Sequence, residues 1–361
     1  TPQRALITPL EDAPAMLYAG KFYYINGNPF SAFQAWLQGQ ENLEPWLAWR
    51  HRIFWLDELA ASICKTLRYY QLLPESKNGV RGLAKTTVVF KHDLDFSRDT
   101  TYLDMENKAK VPGVHVILRD RNTSFWVDKL RSIDGHEPAF HYNTGSYSRV
   151  LEVLRDKLLH LPKRSIRPNK KEIVGRGLLK QVQWAKRKGI GIETLHRHLC
   201  FILYPELIDA LDIVYRSEKD VLGSNSLFRA QVLRWGTDSA DGLCGNYGDF
   251  PDPQFPYWFP FRLAHAGQGG RLLRGWESTS MMEIEPGLVE QMLDYNIPEF
   301  PQRVLIFNYH PVHAHLPTFA KGGCVNWFLK ILDLCKSKDV EIRSLSEVYK
   351  NLNDQLEGKY E

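Results

Sequence analysis

The sequence has no apolar run approaching the ~18 residues that a membrane-spanning helix needs. Cysteine is scarce: five in 361 residues, at positions 64, 200, 244, 324 and 335, with no CxxC pair. An odd, widely spaced set argues against a disulfide framework and predicts free thiols in a reducing compartment. Internal repeats and low-complexity tracts are also missing, and 43% hydrophobic with 24% charged residues excludes a disordered chain. The opening TPQRALITPLEDAP has no long apolar core of the kind an export signal carries, so a cytoplasmic location is expected. The length suits one large α/β domain or two smaller ones.

Charge is present but unevenly spread. The net charge is +4, yet residues 163–188 hold ten Lys/Arg against one Glu, leaving about −5 elsewhere. Such a patch can hold a phosphate or contact an anionic membrane surface peripherally; the commoner reading is a solvated helix face. No nucleic-acid partner is expected.

Residues 1–80 read as a cap, rich in Trp and Tyr, whose stretch from Ile53 to Tyr70 has apolar residues at helical spacing. After a polar link, strands and helices alternate from residue 81 to 361. The run KTTVVFKHDLDFS (85–97) opens as a buried strand and stops on His92, Asp93 and Asp95. Further strands are expected at 113–120, 137–144, 190–198 and 304–311, with helices at VLEVLRDKLLHL and LLKQVQWAKRKG and a closing strand–helix in VEIRSLSEVYKNLNDQL. This alternation predicts a mainly parallel sheet, open or barrelled. Residues 236–280 read as a long irregular insertion, with four prolines in DFPDPQFPYWFPF.

Each of four strand ends carries a group able to bind metal or move protons: Asp93 and Asp95, His141, His196 and His198, and His310 followed by His313. Parallel α/β folds gather their ligands at the carboxyl ends of strands. Asp plus two His with room for water is a divalent-metal site, and it acidifies water and polarises a carbonyl. A neighbouring carboxylate can take the water's proton while a histidine opposite protonates a leaving nitrogen. These parts describe metal-assisted hydrolysis of an amide or ester.

FKHDLDFS, GHEPAFHYNTGSY, VLIFNYHP and VEIRSLSEVY together resemble, over roughly residues 86–350, the motifs of the polysaccharide deacetylase (NodB-homology) superfamily of carbohydrate esterases. The likeness is to the divergent branch whose first motif reads HDxD. It implies a distorted (β/α)7 barrel with the N-terminal segment as a cap. It also implies a divalent metal, zinc being the expected ion, and removal of an acyl group, N-acetyl expected, from a sugar or glycan precursor in surface-polysaccharide biosynthesis. Carried over by motif, Asp93 is the base, Asp95 and His141 are metal ligands, and His310 is the acid. Arg229 in GSNSLFR is the arginine that steadies the base. The family's second motif has a further His where this chain has Gly145, so the third ligand must come from TLHRH, through His198 or His196. His92, Tyr257, Trp258 and His313 are the candidate substrate contacts, the aromatic pair for stacking on sugar faces. The substrate is expected to be a carbohydrate or a nucleotide- or lipid-linked sugar.

Two other readings fit parts of the sequence. DLD is also the DxD by which glycosyltransferases hold a metal and a sugar nucleotide, but Gly-rich turns are missing before it and the histidines are left unused. A non-catalytic carbohydrate-binding protein on a deacetylase scaffold would explain Gly145, but not the retention of Asp93, Asp95 and His310.

Overall fold

A computed structural model describes residues 4–5, 16–19, 22–25, 80, 82–143, 170–198, 236–239, 260–265, 271–294, 302–317, 323–338 and 340–356. Three short strands, β1 (Arg4–Ala5), β2 (Met16–Ala19) and β3 (Phe22–Ile25), form an antiparallel sheet of their own. The helix expected over 53–70 lies outside the described residues, as does the helix expected at VLEVLRDKLLHL.

The remaining elements alternate as expected. They are β4 (Thr86–Asp93), α1 (Thr101–Ala109), β5 (Gly113–Leu118), α2 (Thr123–Arg131), β6 (His136–Asn143), α3 (Lys170–Lys188), β7 (Gly191–His198) and β8 (Gly236–Ser239). There follow β9 (Phe261–His265), β10 (Arg271–Met282), α4 (Pro286–Asp294), β11 (Arg303–Asn308), α5 (Cys324–Ser337), β12 (Glu341–Ile342) and α6 (Leu345–Leu356). From β4 the sheet runs through β5, β6, β7, β8, β10 and β11, each parallel to its neighbour, and β11 pairs again with β4. The sheet therefore curls back on its first strand, with helices packed outside it. β9 adds antiparallel to β10, and β12 lies beside the first half of β4.

The expectation of an irregular insertion over 236–280 is corrected here, because β8, β9 and most of β10 fall within it. The inward positions of β10 include Ser278 and Ser280, so the strand lacks the β-branched run that marks β4. Within the Pro-rich stretch, residues 249–259 lie outside the described residues.

Every residue of β4 and of β5 is buried, as befits parallel strands covered on both faces. Side chains alternate across β4. Val89 faces inward and joins Val114, Val116, Ala139, Val304 and Ile306 in a core that Leu345, Val348, Tyr349 and Leu352 of α6 close from below. Glu137 pins α6 there, accepting from the Ser346 N–H at 3.0 Å and from Thr194 Oγ1 at 2.6 Å. Among the described residues α6 plugs the amino ends of the strands, and the carboxyl ends form the opposite end of the curled sheet.

Val88 and Phe90 face outward, into the layer made with α4 and α5. Cys324, Phe328, Ile331, Leu332 and Cys335 recur at helical spacing on α5 and bury one stripe against the sheet, both cysteines as free thiols. Gly323, at φ +83°, lets the chain enter α5 against the Ala314 carbonyl, a contact no Cβ could share. Phe328 is fully buried, with ring centroids 5.0 Å from Phe90 and Tyr102, 5.3 Å from His92 and 5.5 Å from Tyr309. Its replacement should leave a cavity that those rings cannot fill. Phe328→Ala is expected to lower the unfolding free energy by about 3–5 kcal/mol, measured by urea denaturation.

Candidate functional site

Strand alternation decides which polar side chains meet. Lys91 and Asp93 share the inward face of β4, and Asn308 and His310 follow on the adjacent strand, where Asn308 is in register with Lys91. His141 lies inward on β6, and its register partner on β7 is His196. These strand ends place buried ionisable groups at the carboxyl end of the curled sheet.

Asp93 is the hub. Its Oδ2 accepts from Asn308 Nδ2 at 2.8 Å and lies 3.4 Å from His310 Nε2, while its Oδ1 is 3.3 Å from Lys91 Nζ and 3.7 Å from His141 Nδ1. Burial works to raise its pKa, but Lys91, His141 and His310 together outweigh that and hold the carboxyl well below the usual range. Asp93 is therefore an ionised carboxylate. Asp95, two residues on, differs. Burial, and then the charge of Asp93, push it up to about 7, only partly opposed by His310 and Lys91. Its Oδ1 lies 3.4 Å from His141 Nε2. After Asp95 the chain turns sharply at Phe96, whose φ of +52° is held by its N–H donating to Asp120 Oδ2 at 3.0 Å, and whose ring is 60% exposed.

His310 sits between two carboxylates. Nδ1 faces Glu283 Oε1 at 2.9 Å and Nε2 faces Asp93, so both ring nitrogens donate and the ring is an imidazolium. Burial alone would lower its pKa; the bonds to Asp93 and Glu283 outweigh this and push it up to about 10. Glu283 Oε1 also accepts from the His310 backbone N–H at 2.8 Å and from His313 Nδ1 at 3.0 Å. Burial works to raise the Glu283 pKa, yet the bonds from His310 and His313 bring it down to about 2. Glu283 takes a left-handed backbone, φ +47°, just past β10, a conformation costing ~1–3 kcal/mol for a non-glycine residue.

The structure thus brings together Asp93, Asp95, His141, His310 and His313. His196 is buried on the same face of β7, with Nε2 3.1 Å from Thr194 Oγ1. For His198 the strand position is described but not the side chain, and Arg229, Tyr257 and Trp258 lie outside the described residues. His92, expected at the substrate, is not brought into this cluster. Alternation turns it to the outer face of β4, fully buried, with Nε2 2.8 Å from Glu106 Oε1. Sequence reasoning missed Lys91, Asn308 and Glu283. Lys91 and Asn308 stand two residues before Asp93 and His310 on the same faces, so the two-residue period could have found them; nothing in MMEIEPG marks Glu283.

Asp95 and His141 could supply two ligands to a divalent metal. Asp95 and His141 present a carboxylate oxygen and an imidazole nitrogen to each other, a hard–borderline donor pair of the kind zinc takes. The neighbouring carboxylate of Asp93 makes the ionisation of Asp95 costly without a further cation.

Solved structures similar in fold include a candidate polysaccharide deacetylase involved in O-antigen biosynthesis from Bordetella bronchiseptica, at 12% identity and TM-score 0.34, covering 74% of this chain and 88% of that one. Another is the Bc1960 peptidoglycan N-acetylglucosamine deacetylase in complex with 4-naphthalen-1-yl-N-oxidanyl-benzamide, at 11% identity and TM-score 0.37, covering 79% of this chain and 96% of that one. No protein-family model and no curated protein matches the chain.

The raised pKa of Asp95 has a sign that can be tested. In the folded protein its pKa, about 7, lies above the ordinary carboxylate value of ~3.9. Between those values the folded chain holds a proton that the unfolded chain has released, so stability falls as pH rises through that window. In metal-free protein at pH 8, Asp95→Asn is therefore expected to raise the melting temperature. In protein given zinc, the same substitution should reduce the metal-dependent rise. Both are read by thermal denaturation with and without chelator.

Proposed function

We propose that the chain is a metal-dependent hydrolase of the polysaccharide deacetylase type, on a distorted (β/α)7 barrel, removing an acyl group from the nitrogen of a sugar or glycan precursor in surface-polysaccharide synthesis. The observation that carries this reading is the buried pair of Asp93 and His310, a carboxylate kept ionised and an imidazole kept protonated, set beside the Asp95–His141 donor pair. Hydrolysis of an amide needs both proton states at once.

Asp95 and His141 would hold the metal, with His196 or His198 of β7 as the third protein ligand. When bound, the ion would supply Lewis acidity towards the acyl oxygen and towards water. Asp93 takes the proton of the attacking water; its fixed bonds from Asn308 and Lys91 keep it charged and oriented for this. His310 gives its Nε2 proton to the departing nitrogen, which cannot leave as an anion. Glu283 acts through His310 as a positioning residue: it holds Nδ1–H and thereby the ring's direction. Phe96 offers an exposed apolar ring beside Asp95 on which a sugar face can stack.

The glycosyltransferase reading has no comparable support. Asp93, the first carboxylate of that DxD, is already engaged by Lys91, Asn308 and His310. We further infer that the basic stretch 163–188 attracts the phosphate of a nucleotide- or lipid-linked sugar. α3 ends in exposed Lys186, Arg187 and Lys188, while Leu178, Val182 and Ala185 bind it to the sheet.

On an N-acetylated glycan substrate, Asp93→Asn and His310→Ala are each expected to lose roughly 10²- to 10⁴-fold in rate while retaining the metal. Wild-type rates should follow a bell-shaped pH profile. Glu283→Gln removes a negative charge that holds the His310 proton, so the alkaline limb should move down by about 1–3 pH units. Near-wild-type rates in the Asp93 or His310 variant would overturn the assignment.

A further inference from the structure

A second group of histidines lies on the opposite face of the same strands, sealed from the inward cluster by the sheet. His92 of β4, His115 of β5 and His136 of β6 all point outward around Glu106 of α1. The Glu106 carboxylate fits there because residue 113 is glycine; a Cβ at that point would collide with both of its oxygens. Glu106 Oε1 is taken by His92 Nε2 at 2.8 Å. His92 Nδ1 faces the Tyr309 carbonyl at 2.9 Å, so both its ring nitrogens meet acceptors and it holds Oε1 as a donor.

The other oxygen, Oε2, is in a different position. It lies 3.0 Å from His115 Nε2 and 3.6 Å from His136 Nδ1, and those two nitrogens are 3.2 Å apart. His136 Nε2 is 3.0 Å from Asn107 Oδ1, which can only accept, so the ring proton sits on Nε2 and Nδ1 is a bare lone pair. A carboxylate oxygen and a bare imidazole nitrogen therefore share the single proton that His115 Nε2 can offer. The three atoms form a triangle with edges of 3.0–3.6 Å. Donors ~2.0–2.2 Å from a tetrahedral zinc ion lie about 3.3–3.5 Å apart, the same size.

We propose that Glu106, His115 and His136 form a zinc-type divalent-metal site that ties α1 to β5 and β6 on the outer face of the sheet. Two imidazoles and one carboxylate favour borderline ions such as zinc over magnesium or calcium. Asn107 and His92 act as the supporting shell, one fixing the His136 tautomer and the other occupying the second carboxylate oxygen. Binding moves the His115 ring proton from Nε2 to Nδ1, a buried atom with no hydrogen-bond partner, which limits the affinity. His136, at the start of β6 beside exposed Asp134 and Gly135, is the member nearest solvent.

The site is independent of the inward one, and metal counting separates them. Full-length protein is stripped with chelator, dialysed against zinc and analysed for bound metal. Wild type is expected to hold two equivalents, His136→Ala one and Asp95→Asn one, with none in the double variant. Asn107→Ala should weaken the affinity of one equivalent roughly 10- to 100-fold while leaving the fold unchanged. His136→Ala should leave hydrolysis intact and reduce the zinc-dependent rise in melting temperature. Unchanged stoichiometry in His136→Ala together with unchanged affinity in Asn107→Ala overturns this proposal, and leaves the inward site standing if Asp95→Asn removes the metal. Loss of metal in His136→Ala with full retention in Asp95→Asn supports the outer site and overturns the inward one.

Discussion

The pairing of β4 with β11 is the constraint on which the site depends. Asp93 and Asn308 are 215 residues apart in sequence, yet their side chains are hydrogen-bonded because the sheet returns to its first strand. Without that return Asp93 would lose Asn308 and His310 together and keep Lys91 of its own strand and His141 of β6. A buried carboxylate stripped of its one side-chain N–H donor at 2.8 Å and of one of its neighbouring cations would be more expensive to hold ionised. Closing the sheet thus does more than bury Val88, Phe90 and Phe307. It sets the protonation state of the residue on which the proposed chemistry turns.

Magnitudes indicate that this cluster is not there for stability. Charges about 4 Å apart attract by roughly 4 kcal/mol at an effective dielectric of about 20, whereas removing each ion from water costs several kcal/mol. Apolar residues of the same volume would serve the fold as well or better. The strained backbone of Glu283 adds a further cost beside the same histidine. Retaining Asp93, Asp95, Glu283, His310 and Lys91 within one small region is best understood as the energetic cost of holding an acid and a base in opposite proton states.

Much of this was legible in the sequence, for physical reasons that can be named. β4, β5 and β11 announce themselves by apolar runs, and every strand expected from residue 86 to 311 lies within a few residues of its observed bounds. The placing of Asp93, His141 and His310 at strand ends followed from those expected strands. What failed was the treatment of neighbours in sequence as neighbours in space. His92 adjoins Asp93 in the chain, but the two-residue period sends it through the sheet to Glu106. β10 was hidden because its inward side chains include Ser278 and Ser280, and with it went Glu283, the partner that orients His310. The order of strands around the sheet, which decides that His310 meets Asp93, has no local signature at all.

Strand β4 consequently carries two imidazole–carboxylate clusters back to back, separated by one peptide unit, and they differ in sign. The inward one is rich in carboxylates: Asp93, Asp95 and Glu283 face Lys91 and His310, and the excess negative charge falls on Asp95. A cation there would relieve that repulsion, as the proposed metal site requires. The outward one has a single carboxylate among three imidazoles and lies under α1. Its donors are mostly neutral, and its supporting bonds come from Asn107 and the Tyr309 carbonyl. The same residue types thus sit in two different electrostatic settings, charge-rich on the inward face and nearly neutral beneath α1. Because Tyr309 accepts from His92 on one side and precedes His310 on the other, the two clusters share a backbone segment while facing opposite sides of the sheet.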